Sequence, residues 1–146
     1  MNVMRDLFKE ALARFASGVT VVSASWQGQE RAATVSSFAS LSLNPPLVSL
    51  ALDRNAKLLP VLLQAQAFEV RILHEEEQAA ADHFAGREHH HLELTDLRPL
   101  AHLRCRLWAN YPGGDHLLLV GQVEEVQLGE LRGPLVYWHR KYRRLT

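Results

Sequence analysis

The β-rich stretches of this chain do not alternate regularly with helices, and that irregular order constrains its fold more than any other feature. Val19 to Ser25 reads VTVVSAS, rich in β-branched residues, and the polar Gln27-Gly28-Gln29-Glu30 follows as a hairpin turn. Ala32 to Leu43 alternates loosely and is dense in Ser and Thr. Asn44-Pro45-Pro46 ends it, because proline cannot donate to a sheet ladder. Leu47 to Leu52 has the apolar character of a strand covered on both faces, and Ala67 to Leu73 alternates. His102 to Ala109 and Leu117 to Val126 flank a Pro112-Gly113-Gly114 turn. A last strand near Leu135 to Trp138 leads into a basic tail, His139 to Leu145. Helices fall between these at uneven intervals. Leu7, Phe8, Ala11, Leu12 and Phe15 share one face over 6–15, with Gly18 as the stop. A second helix is expected from Lys57 to Gln64, and a third in the Ala-rich Glu75 to Ala85. Gly86 to Pro99 reads as loop.

Six or seven strands so interrupted exclude a doubly wound parallel sheet, and neither G-x-G-x-x-G nor a Walker glycine-lysine motif is present. The pattern predicts a mainly β fold with inserted helices, an antiparallel barrel whose closure removes exposed sheet edges. At 146 residues one domain spanning 1–146 is expected. Lys plus Arg and Asp plus Glu stand at 16 each, so electrostatic capture of nucleic acid is not expected. No run approaches the ~20 apolar residues of a membrane span. Cys105 is the single cysteine, a buried thiol with no disulfide partner. With no secretory signal at 1–15, these features suit a cytoplasmic protein.

Several segments can carry chemistry. Thr34-Val35-Ser36-Ser37 sets hydroxyls on a strand, either facing solvent or bonding a polar ligand. Asp53-Arg54-Asn55-Ala56-Lys57 opens a helix after an apolar strand, either as a capped loop or as a phosphate site with Arg54 and Lys57 supplying charge. Gly113-Gly114-Asp115-His116 permits a tight turn, either a hairpin with an exposed histidine or one that brings His116 to a ligand. In the tail, Tyr137 to Arg144 interleaves aromatic and basic residues, suited to stacking on a nucleotide or to surface solvation. Glu88-His89-His90-His91 lacks the spacing of a metal site, and none is expected.

Taken in order, these segments resemble the short-chain flavin reductase family, the reductase components of two-component flavin-dependent monooxygenases. The landmarks are Phe15-Ala16-Ser17-Gly18-Val19-Thr20-Val21-Val22, Ala33-Thr34-Val35-Ser36-Ser37-Phe38 and Ser40 to Leu47, then Asp82-His83-Phe84-Ala85-Gly86, Gly114-Asp115-His116 and Gly133-Pro134-Leu135-Val136-Tyr137. The resemblance implies an FMN-binding split β-barrel with Greek-key antiparallel strands, assembled as a homodimer. It implies NAD(P)H-dependent reduction of FMN or FAD by hydride transfer to flavin N5, with NADH or NADPH as donor and reduced flavin passed to a partner monooxygenase. Thr34, Val35, Ser36 and Ser37 would line the ring and ribityl chain. Asp53, Arg54, Asn55 and Lys57 would lie near the ribityl and phosphate, Phe84 would border the flavin, and His116 would face the nicotinamide. Arg140 and Tyr142 are further cofactor contacts on this resemblance. The chain departs from the family at Ala56, where many members carry serine, and at Val70-Arg71-Ile72-Leu73. Two other readings share the fold: an FMN-binding electron carrier without reductase activity, and a module for another cofactor such as haem or pyridoxal phosphate.

Overall fold

The computed structural model describes residues 2–87 and 91–146. Of the polar run discussed above, Glu88, His89 and His90 lie outside the described residues. The first element, α1 (Val3–Ala13), is capped by the Asn2 side chain, whose Oδ1 accepts from the Arg5 N–H at 3.0 Å. It ends at an Arg14 cap, not at Gly18. Gly18 instead belongs to β1 (Ser17–Gly18). Next come β2 (Thr20–Trp26) and β3 (Gln29–Val35), joined by a turn in which Gln27 and Gly28 both have positive φ. That is the turn geometry that matches strand twist in a two-residue hairpin.

The Ser- and Thr-rich stretch is not one strand. It breaks at Ser36–Phe38 into β3 and β4 (Ala39–Leu43), and Pro46 opens β5 (Pro46–Asp53). Then follow α2 (Leu58–Ala65), β6 (Ala67–Ile72), α3 (Gln78–Phe84) and a short 3-10 turn at Leu94–Asp96. The third helix starts three residues later than expected because 74–77 forms a turn: the Glu77 carboxylate accepts the His74 N–H at 3.1 Å. The long hairpin β7 (Ala101–Gly113) and β8 (His116–Leu128) turns at Gly114-Asp115, so Pro112 and Gly113 remain in strand. Two short strands, β9 (Val136–Trp138) and β10 (Lys141–Arg143), complete the chain, and β10 turns part of the expected basic tail into sheet.

Seven strands form one sheet in the order β3-β2-β6-β7-β8-β5-β4, with every neighbouring pair antiparallel. Pairs β2–β6 and β8–β5 join strands distant in sequence, which is what makes the connectivity Greek-key. The sheet curls into a barrel that its ladder does not close: β3 and β4 are its two ends. Just before β4, the Ser37 hydroxyl extends the pairing with β5: it donates to the Ala51 carbonyl and accepts from the Ala51 N–H, both at 3.0 Å. Inside, Val22, Val35, Leu50, Phe68, Val70 and Leu119 meet Leu58 and Leu62 of α2. Each such side chain contributes roughly 1.5–3 kcal/mol by leaving water.

A second apolar cluster lies on the other face of the sheet. Val21 points opposite to Val22, and with Val19 it packs on Leu73, Ala80, Ala81, Leu94, Leu97 and Leu135. Thus β2, not Leu47–Leu52, is the strand buried on both faces; in β5 only the Val48, Leu50 and Leu52 face is fully buried. The small sheet β1-β9-β10 adds Tyr137 and Tyr142 to this outer cluster.

Cys105 sits among the barrel residues, 3% exposed. Its neighbours Arg104 and Arg106 point the other way, toward Glu125 and Glu124. Burial first, then the nearby Glu124 and Glu69 carboxylates, pushes the thiol up to about 12. The native protein should therefore resist thiol reagents at mildly alkaline pH and react only after unfolding in guanidinium. Rapid labelling of the folded chain would contradict this.

Candidate active site

The site begins on the outer face of β3, where Ala32 and Thr34 stand two residues apart. The Thr34 hydroxyl donates to the Ala81 carbonyl at 2.6 Å and so ties β3 to α3. At the end of α3, Gly86 takes φ +74 and reverses the chain. Arg87 then returns, its N–H bonded to the Asp82 carbonyl at 3.0 Å. The Arg87 guanidinium lies 5.8 Å from the Tyr137 ring centre, and Tyr137 leans on Tyr142 at 5.2 Å. Hydrogen bonding to Tyr137 holds Arg87 above its ordinary range, while burial raises the Tyr142 phenol. Tyr142 therefore stays neutral at physiological pH, able to donate or accept.

Thr34, Ser36, Arg87, Tyr137 and Tyr142, with Val19 and Ala85, enclose a cavity of about 90 Å³. At ~30 Å³ per water that volume suits a phosphate or a ring edge, not a tricyclic ring. One cation ringed by hydroxyls matches phosphate chemistry. On the other side of the α3 terminus, Phe84, Ala32, Lys57, Arg71 and Leu92 border a cavity of about 560 Å³. That falls within the range of sites that accept an aromatic cofactor. The residues present thus fit a flavin nucleotide, with a basic anion cradle beside a larger space edged by an aromatic ring.

A second group gathers where β5 meets the tip of the long hairpin. Asp53 is the register partner of His116. The Arg54 N–H donates to the Asp115 carbonyl at 3.0 Å, and its Nε donates to the Gly114 carbonyl at 2.8 Å. Asp53 Oδ1 accepts the Asn55 N–H at 2.8 Å, shaping the turn into α2. Asp115 Oδ1 lies 2.8 Å from His116 Nδ1, and that imidazole holds the Asp115 carboxyl below the usual range.

The structure thus brings Thr34, Ser36 and Tyr142 to the small cavity, Lys57 and Phe84 to the large one, and Asp53, Arg54, Asn55 and His116 to the hairpin tip. Four expected contacts are otherwise engaged, Arg54 at the hairpin tip among them. Val35 is a buried barrel residue whose carbonyl accepts the Thr20 hydroxyl at 2.7 Å. The Ser37 hydroxyl is bonded to the Ala51 backbone of β5. Arg140 pairs with Glu10 of α1 at 3.2 Å. Arg87 is the addition: it reads as loop in the sequence, and only the glycine before it hints at the reversal that aims it.

Fold and site together define a split antiparallel barrel with a cationic, hydroxyl-lined cavity. The flavin reductase like domain matches residues 12–146, and the chain belongs to that family. It is 58% identical over 146 residues to the reductase component of 4-hydroxyphenylacetate 3-monooxygenase from Thermus thermophilus, covering 98% of each chain. It is 33% identical over 152 residues to an NADH-dependent flavin reductase of a Rhodococcus species, covering 94% of this chain and 84% of that one. Among solved structures, flavin reductase PheA2 in its native state superposes with a TM-score of 0.90 at 31% identity, covering 100% of this chain and 99% of the other. The NADH:FAD oxidoreductase SgcE6 of Streptomyces globisporus, solved with NAD and FAD fragments, gives a TM-score of 0.84 at 29% identity over 97% of this chain and 93% of that one.

Proposed function

We propose that this chain is a flavin reductase that binds FMN or FAD, draws hydride from NADH and delivers reduced flavin to a separate monooxygenase. The observation that carries the reading is the Arg87 cradle with its hydroxyls, lined by Ala85, the residue after the Phe84 of the larger cavity. Arg87, Tyr142 and Ser36 hold the phosphate, while Phe84 and Lys57 border the space for the ring. Thr34 positions the α3 terminus through its bond to Ala81. His116 faces the nicotinamide from the hairpin tip. The chemistry that the flavin supplies when bound is acceptance of hydride at N5; the protein's part is to hold two rings together and exclude alternatives.

The relatives named above act with NADH or serve as a monooxygenase reductase component, which supports both the donor and the partner.

A homodimer completes the reading. No residue of α1 is buried, and Met4, Leu7, Phe8, Leu12 and Phe15 all lie more than half exposed. An isolated helix of that length is marginal in water, so its apolar face needs a cover, and a second copy supplies one. The pairing of β1 with β9 ties the two ends of the chain together, supporting a single domain over 1–146. The single cysteine, buried and unpaired, suits a reducing cytoplasmic setting.

The test is steady-state oxidation of NADH and of NADPH, with and without added FMN, FAD or riboflavin. Turnover with NADH that saturates in added flavin is the expected result. A flavin-loaded protein that oxidises no more NADH than its own bound flavin would be an electron carrier, and the reductase reading would be withdrawn.

A further inference from the structure

We infer that Arg54 is a positioning residue for His116 rather than a ligand of the flavin phosphate. This rests on the reductase reading and assigns Arg54 a part in it. Arg54 grips the hairpin tip through Nε, which donates to the Gly114 carbonyl at 2.8 Å, beside the backbone bond from its N–H to the Asp115 carbonyl at 3.0 Å that continues the β5–β8 pairing. These two carbonyls belong to the two residues that make the turn, directly before His116. Gly114 holds φ +68, so the turn has no side chain of its own at that point to brace it.

The same tip orients the ring. Asp115 Oδ1 accepts from His116 Nδ1 at 2.8 Å. A carboxylate accepts only from a protonated nitrogen, so Nδ1 carries a proton and Nε2 is left for another partner. Asp115 is exposed and His116 is about 43% exposed, so neither ring nor turn is fixed by packing. The strand register sets Asp53 opposite His116, and the next residue, Arg54, supplies the clasp that packing does not. The segment 53–55 therefore latches the tip from the neighbouring strand: Asp53 shapes its own turn, and Arg54 reaches across.

The experiment uses the full-length chain with Arg54→Ala, His116→Ala and the double variant, each assayed with both FMN and riboflavin. For Arg54→Ala we expect KM for NADH to rise by about tenfold, a loss on the scale of one hydrogen bond. Kd for FMN and for riboflavin should each stay within about twofold. The double variant should be no worse than His116→Ala alone, because a residue that acts through another adds nothing once that other is gone. Arg54→Lys, which keeps the charge and a donor, should recover part of the NADH affinity. Weaker binding of FMN with riboflavin unchanged would overturn the proposal and restore Arg54 as a phosphate ligand. Additive losses in the double variant would overturn it as well. A readout independent of turnover is the ¹⁵N spectrum of His116: a single Nδ1–H form in the native chain and an averaged signal in Arg54→Ala. An unchanged spectrum would sink the clasp even if the protein reduces flavin, whereas absent turnover with the spectral change present would remove the reductase reading and leave the clasp standing.

Discussion

Gly121→Ala should lower stability by about 2–3 kcal/mol, the upper part of the range for inserting one carbon into a packed core. At this chain length that is a fall in Tm of roughly 5–10 °C. A Cβ on Gly121 would stand 2.4 Å from Phe68 Cζ and 2.8 Å from its Cε1, with the Cys105 Cβ at 3.1 Å behind. Phe68 is only 2% exposed and wedged within the barrel, so the ring has nowhere to swing. The glycine is thus the hole into which the largest fully buried side chain fits. Thermal unfolding of the single variant and of Gly121→Ala/Phe68→Leu checks this. The second change should recover part of the loss by vacating the space, and an unchanged Tm in the single variant would show that the ring yields freely.

The other large effect falls on cofactor affinity. Replacing Arg87 with alanine should weaken FMN binding by roughly ten- to a hundredfold, since a hydrogen bond to a charged group is worth about 1.5–3 kcal/mol. Riboflavin lacks the phosphate and should bind both proteins alike. Arg87 is the one cation in the small cavity, and Thr34, Ser36 and the two tyrosines offer only neutral hydroxyls. Fluorescence titration of the full chain with each flavin separates the cases. Equal loss for both ligands would mean that Arg87 supports the cavity walls instead of meeting the phosphate.

Much of the barrel could be read from residue pattern, because its interior obeys the two-residue period of a strand. The alternation expected from Ala67 to Leu73 holds, with Phe68 and Val70 facing the barrel, and the proline pair at 45–46 marks a real boundary. What pattern could not show was which face a tertiary neighbour would cover. In β2, Val21 and Val22 look alike in sequence, yet one faces the barrel and the other the α3 layer. The same limit applies to the site. Thr34 and Ser37 are both hydroxyls on one stretch, and only the fold assigns Thr34 to the cavity wall and Ser37 to the Ala51 seam. Arg54 and Arg140 read as free cations until the Gly114 carbonyl and Glu10 are seen to hold them. Arg87 went unread for the opposite reason. Its role comes from a chain reversal at Gly86 that brings residues about fifty positions apart, Arg87 and Tyr137, against each other.

The bare apolar face of α1 carries a consequence for every binding constant measured on this protein. On the proposed homodimer, that helix is packed only while two chains are associated, so its order follows mass action. The helix is joined to the cofactor side of the molecule through β9: the His139 N–H donates to the Ala13 carbonyl at 2.8 Å, and the Trp138 indole to the Arg14 carbonyl at 2.9 Å. Tyr137 of the Arg87 cradle is the next residue along that strand. Dilution that frees α1 would therefore loosen the wall of the cavity proposed for the flavin phosphate. Apparent affinity should depend on protein concentration, and a titration at low nanomolar chain would describe a different molecule from one at micromolar chain.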